Sequence, residues 1–330
     1  MELDLRTSRR TFSRIGFGLT LILGATVYAQ ALWIIAAELI WGESNWTTTT
    51  KAGMWLSNFV PMYLIGFPAG ILLMLWMPRQ APETRKLSVK GLLLYLLISF
   101  PLMQGGNLIG TLLSFLFSGG QAENPLNELA MDTGFLKILF MVILAPLMEE
   151  LIFRKVLLDR VGKYGERVAV LFSGLLFGLF HGNLFQFFYA FFLGCLLAVV
   201  YLRTGKLRYP VLLHAIINFQ GSVIAPWVIS MTDLEAMESL LANPDFSSVL
   251  PQLMEILPGL AIYCSYSLII IGLNIAGTVV LIRRLIRFRW RSTEQELPKG
   301  VRFKTAYLNA GVIILTVLCL GMCALSLFQS

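Results

Sequence analysis

Apolar residues in this chain gather into long runs, most of them near the roughly 20 residues that a helix needs to cross a bilayer. Nine such segments stand out, at about 15–41, 54–77, 91–117, 134–153, 168–183, 184–202, 209–230, 259–282 and 306–328. Only His181-Gly182-Asn183 separates the fifth from the sixth, which predicts a tight helical hairpin. Short segments of alternating polarity, the mark of a membrane β-barrel, do not recur. The pattern therefore predicts an all-α polytopic membrane protein, a single helical bundle of about nine transmembrane helices, or eight. Residues 1–330 read as one membrane domain.

Composition agrees: 57% of the residues are hydrophobic and 14% charged. The net charge of +7 says less than its distribution. With the N-terminus inside, 24 of the 26 Lys and Arg fall in five inside segments: 6–14, 79–90, 154–167, 203–208 and 283–304. Lys51 and Lys137 are the exceptions. The positive-inside rule then places the N-terminus of an integral membrane protein in the cytoplasm and the C-terminus outside. The basic surplus serves topology and lipid headgroups, and nucleic acid is not expected as a partner. The first segment has a basic start and an Ala29-Gln30-Ala31 site, but its apolar run continues to Trp41, which favours an uncleaved helix.

Two outside loops are acidic, 118–133 and 231–258. The second has helix-like spacing at Leu234, Met237, Leu240 and Leu241, and reads either as an interfacial helix or as a plain connection. Cys195, Cys264, Cys319 and Cys323 lie within apolar spans and read as small packing residues.

Ionisable residues at membrane depth are costly and mark functional sites by default. The fourth segment reads ILAPLMEELIFRKVLLDR. Glu150 and Arg154 share a helix face in the favourable order for an ion pair, which leaves Glu149 to face another neighbour. Pro146 removes a backbone donor one turn earlier. The fifth segment carries Phe177 and His181 one turn apart, beside a stripe of Gly174, Gly178 and Gly182 suited to close helix approach. The seventh carries His214 and Asn218 on one face. Each cluster alone fits ordinary interhelical bonding. Together, three helices supply a carboxylate base, an imidazole and a His/Asn donor pair, the parts needed to hydrolyse an amide with water. No Ser or Cys sits beside a His as a nucleophile would.

The ordered motifs Glu-Glu-x-x-x-Arg (149–154), Phe-x-x-x-His (177–181) and His-x-x-x-Asn (214–218) resemble those of the type II CAAX prenyl endopeptidase and bacteriocin-processing family, also called ABI or CPBP proteases. The resemblance covers about 134–226, the expected catalytic core, and looks closer to bacterial members. It implies a glutamate-dependent, metal-independent intramembrane endopeptidase. Glu149 would activate water, His181 position it, and His214 with Asn218 form the oxyanion hole. Glu150 and Arg154 would support the site and Phe177 shape it. The implied substrate is a membrane-associated peptide or a lipid-associated protein, and activity would fall in acid as Glu149 is protonated. In a straight nine-span arrangement, however, His181 lies roughly 10 Å or more from the depth of Glu149, at about 1.5 Å rise per residue.

Two other readings compete. Glu149, Glu150, His181 and His214 could bind zinc through mixed nitrogen and oxygen ligands, although no His-Glu-x-x-His helix is present. Alternatively, the same residues could serve folding and partner binding in a non-catalytic membrane scaffold or immunity protein. The sequence does not set the oligomeric state.

Overall fold

The computed structural model describes residues 4–124, 131–132, 134–232, 238 and 246–328, with the side chains of 246–253 left aside. Residues 233–237 and 239–245 of the acidic loop at 231–258, including Leu234, Met237, Leu240 and Leu241, lie outside the described residues, as does part of 118–133. All nine expected segments are helical: α1 Leu5–Trp41, α2 Lys51–Leu75, α3 Val89–Ser118, α4 135–161, α5 Glu166–Phe180, α6 Leu184–Thr204, α7 Arg208–Ser230, α8 Phe246–Arg287 and α9 Ala310–Ser326. No strand occurs among the described residues.

The protein is an integral membrane protein, but the expected nine spans are not reached on length and apolarity. Six described helices qualify, α1, α2, α3, α6, α7 and the Met254–Arg287 part of α8. The bent pair Lys299–Ala306 and Ala310–Ser326 would make a seventh. The two that fall short, α4 and α5, both bear candidate chemistry. α4 carries Glu149, Glu150, Arg154 and Lys155 close together. α5 has only 15 residues, about 22 Å at 1.5 Å rise per residue, against a hydrocarbon core of about 30 Å. Both are enclosed by other helices: α4 packs against α1, α2, α5, α6 and α7. α8, in contrast, is peripheral and presents Leu268, Ile275 and Ile286 outward.

Local sequence explains the helix ends. Asp4, Ser88, Asn183 and Asn309 each accept a backbone N–H in the first turn that follows. Gly119 and Gly205 close α3 and α6 in the left-handed conformation, φ 65° and 62°. Three helices contain a π-turn ending just before a proline: Met62–Gly66 before Phe67-Pro68, Ile138–Leu144 before Ala145-Pro146, and Gln220–Ile224 before Ala225-Pro226. In each, the residue before the proline reaches back five positions, from Phe67 to Met62, Ala145 to Phe140 and Ala225 to Gln220. The missing proline N–H breaks the ordinary ladder, and the extra residue is absorbed as a π-turn.

The five basic segments meet at one end of the bundle and are hydrogen-bonded together. Gln80 N–H donates to the Asp159 carbonyl (2.6 Å) and Arg85 N–H to that of Thr204 (2.8 Å). Arg203 pairs with Glu166 at 2.8 Å and also reaches the Arg289 carbonyl. Arg9 caps the Leu308 carbonyl. The two exceptions sit at the other end with Asp132, Lys51 at 3.7 Å and Lys137 within electrostatic range.

Candidate active site

α5 and α6 form the hairpin that carries His181. The Gly174 and Gly178 faces lie against α6, with the Cβ position of Gly178 only 2.7 Å from the Phe187 carbonyl and that of Gly174 against Cys195. Gly182, the third of the stripe, instead faces Met322 of α9. It has φ 65°, which lets the chain turn at once. Asn183 then caps α6 through its side-chain oxygen and returns its amide to the His181 carbonyl at 3.1 Å. The imidazole is fixed as well: His181 Nδ1 lies 2.8 Å from the Phe177 carbonyl. A carbonyl only accepts, so Nδ1 carries the proton and a neutral His181 presents a bare Nε2.

On α4, Glu150 and Arg154 are both fully buried and paired at 2.8 Å. The third guanidinium nitrogen, Nη1, donates to Ser173 Oγ at 2.6 Å, and Ser173 donates to the Phe153 carbonyl at 3.0 Å. Glu150 Oε1 also receives His214 Nδ1 at 3.0 Å. The other His214 nitrogen, Nε2, faces Glu149 at 3.9 Å. Arg154, Glu150 and His214 thus form a chain with every charge matched, the condition under which a buried charge is tolerated. Glu149 differs. Its side chain is 20% exposed, and no described residue forms a hydrogen bond to its carboxylate.

His181 lies within electrostatic range of both Glu149 and His214. The Phe177 ring sits between the two imidazoles, edge-on to each at 5.0 Å and 5.8 Å, with Arg154 over it at 5.1 Å. The count of straight spans left out two features: α5 is short and ends just before His181, and α4 carries two π-turns, Ile138–Leu144 and Leu151–Val156. Asn218 is one turn beyond His214, and its amide donates to the Met141 carbonyl of α4 at 2.8 Å. One of its two N–H bonds is thereby used. Three groups not singled out in the sequence also belong here: Ser173, and the phenols Tyr63 and Tyr189, both within electrostatic range of Glu149.

Residues 132–220 match the Rce1-like family model, described as type II CAAX prenyl endopeptidase. The Rce1-like stretch takes in α4 to α6 and α7 through Gln220, so it holds all seven residues of the three motifs. It supports a CAAX-type endopeptidase acting on protein in a membrane. No curated protein and no solved structure matches the chain significantly.

Among the described residues, no three His, Cys, Asp or Glu side chains are grouped so as to hold a metal ion. Cys319 and Cys323 are buried thiols packed within the bundle, Cys195 is half-buried and Cys264 exposed.

Proposed function

We propose that this chain is an intramembrane endopeptidase in which Glu149 activates water to cleave a peptide bond of a membrane-associated peptide or protein. The observation that carries this reading is that Glu149 faces His214 Nε2 at 3.9 Å, with His181 of a third helix within electrostatic range of both. A water there donates one hydrogen to Glu149 and the other to the bare Nε2 of His181, which leaves an oxygen lone pair aimed away from both. As that oxygen bonds to the scissile carbonyl carbon, its proton passes to Glu149. When the C–N bond breaks, the same proton goes to the leaving amine nitrogen.

The negative charge on the carbonyl oxygen is met by the second N–H of Asn218 and by His214. His214 Nε2 donates only from the doubly protonated ring, which has a carboxylate on each side, Glu150 at 3.0 Å and Glu149 at 3.9 Å. Glu150, Arg154 and Ser173 hold His214 in place, and Phe177 spaces the two imidazoles. The end bearing the five basic segments faces the cytoplasm. No metal takes part.

The test compares the membrane proteomes of cells carrying the wild-type chain and Glu149→Gln, matched for abundance. The expected result is a set of tails or peptides that persist uncut in the variant. Indistinguishable proteomes would sink the reading.

A further inference from the structure

Tyr63 lies on α2, outside the Rce1-like stretch, yet within electrostatic range of Glu149. α2 carries an aromatic ladder at every fourth position: Trp55, Phe59, Tyr63 and Phe67. The rings touch along the helix, Phe59 tilted against Tyr63 at 5.9 Å and Tyr63 edge-on to Phe67 at 5.4 Å. Tyr63 also lies nearly parallel to Phe140 of α4 at 6.1 Å. A phenylalanine would make all of these ring contacts. The hydroxyl is what position 63 adds, and its oxygen is buried with no hydrogen-bond partner among the described residues. Such a group lowers stability unless something else occupies its hydrogen bond, so its presence needs a reason.

The surroundings supply one. Tyr63 falls within the Met62–Gly66 π-turn imposed by Pro68, and π-turns rotate the residues they contain relative to the rest of the helix. Its hydroxyl is in electrostatic range of the Glu149 carboxylate. Several of the other donors near that carboxylate are already engaged. His181 Nδ1–H is held by Phe177, His214 Nδ1–H by Glu150, Arg154 by Glu150 and Ser173, and one N–H of Asn218 by Met141.

We propose that Tyr63 is a further catalytic residue, its hydroxyl donating to the scissile carbonyl oxygen on the α2 side of the site. The bond strengthens as that oxygen gains negative charge, so it acts mainly on turnover. This rests on the endopeptidase reading, and on nothing in the family motifs.

The test uses the full-length protein purified in detergent and a peptide copied from a tail that stays uncut in Glu149→Gln membranes. Tyr63→Phe keeps the ring ladder and removes one hydroxyl. The expected result is a turnover lower by tenfold or more, a KM within twofold of wild type, and a melting temperature equal or higher. Fluorinated tyrosines at position 63 should restore turnover to a degree that follows phenol acidity. Retention of more than half the wild-type turnover, a change in KM alone, or a lost turnover accompanied by a lower melting temperature would each overturn the assignment. Wild-type activity in Tyr63→Phe beside an inactive Glu149→Gln removes only the role of Tyr63. If Glu149→Gln leaves every tail cut as in wild type, the endopeptidase reading and the Tyr63 assignment fall together.

Discussion

Asn218 donates its side-chain amide to the Met141 carbonyl across the α7–α4 interface, at 2.8 Å. That carbonyl is open for a local reason. Its α-helical donor, Ala145 N–H, bonds instead to Phe140, and the π-helical donor would be residue 146, a proline. The proline that interrupts the α4 ladder before the carboxylates thus also frees the acceptor that fixes α7 against it. Asn218 holds the His214 helix in register with Glu149 and Glu150 before any substrate arrives.

Removing the amide should therefore cost stability as well as activity. Asn218→Ala leaves a partly buried carbonyl without its donor, a loss of about 1–3 kcal/mol. Restoring a backbone N–H with Pro146→Ala should recover part of that. Thermal melts of the two single variants and the double variant test this as a cycle. Strict additivity would show that Pro146 and Asn218 do not share the Met141 carbonyl.

Glu149 and Glu150 are adjacent but should respond in opposite ways. Glu149→Gln removes a partly exposed carboxylate to which no described residue forms a hydrogen bond, so the fold should hold while cleavage drops by about 100-fold to 10,000-fold. Glu150→Gln removes the partner of a fully buried Arg154 and should cost about 3–5 kcal/mol. Melting temperature and cleavage, measured on both variants, separate the two. Equal destabilisation by the two would remove the distinction.

The motif pairs were legible because they sit one helical turn apart, where periodicity places them on one face. Glu150 with Arg154 is a case, and so is the hairpin break at His181-Gly182-Asn183. The depth of His181 was not, since a straight-helix count has no knowledge of π-turns in α4 or of a 15-residue α5. Hydropathy also treats every apolar segment alike. It does not register that the charges of α4 are neutralised inside the bundle, or that α5 is enclosed by other helices. Tyr63 escaped because its signal is a missing partner, visible only once α2 is packed against α4. The one hint in sequence was its position between Pro61 and Pro68.

Chelation bears on the remaining chemistry. With His181 Nδ1 on a carbonyl and His214 Nδ1 on a carboxylate, the two free Nε2 atoms and Glu149 are assigned to water and oxyanion. Cleavage by protein purified without metal and held with a strong chelator should equal that of untreated protein. Loss of activity that returns on adding zinc would replace the water-and-glutamate scheme with a metal-bound one.

The hairpin offers the last check on how the site is placed. A Cβ at Gly178 would stand 2.7 Å from the Phe187 carbonyl, and next to Phe191 at 3.2 Å. A backbone carbonyl in a helix cannot swing aside as a long side chain can, so Gly178→Ala must push α5 away from α6 near the turn. His181 begins three residues later and is tied to Phe177, one residue earlier, so the displacement carries directly to its ring. Overpacking of this kind costs about 1–3 kcal/mol. Gly178→Ala should then lose both melting temperature and turnover. Gly221→Ala on α7, where an added Cβ meets nothing within 4 Å, should change neither. Wild-type turnover in Gly178→Ala would show that the α5–α6 spacing does not set the position of His181.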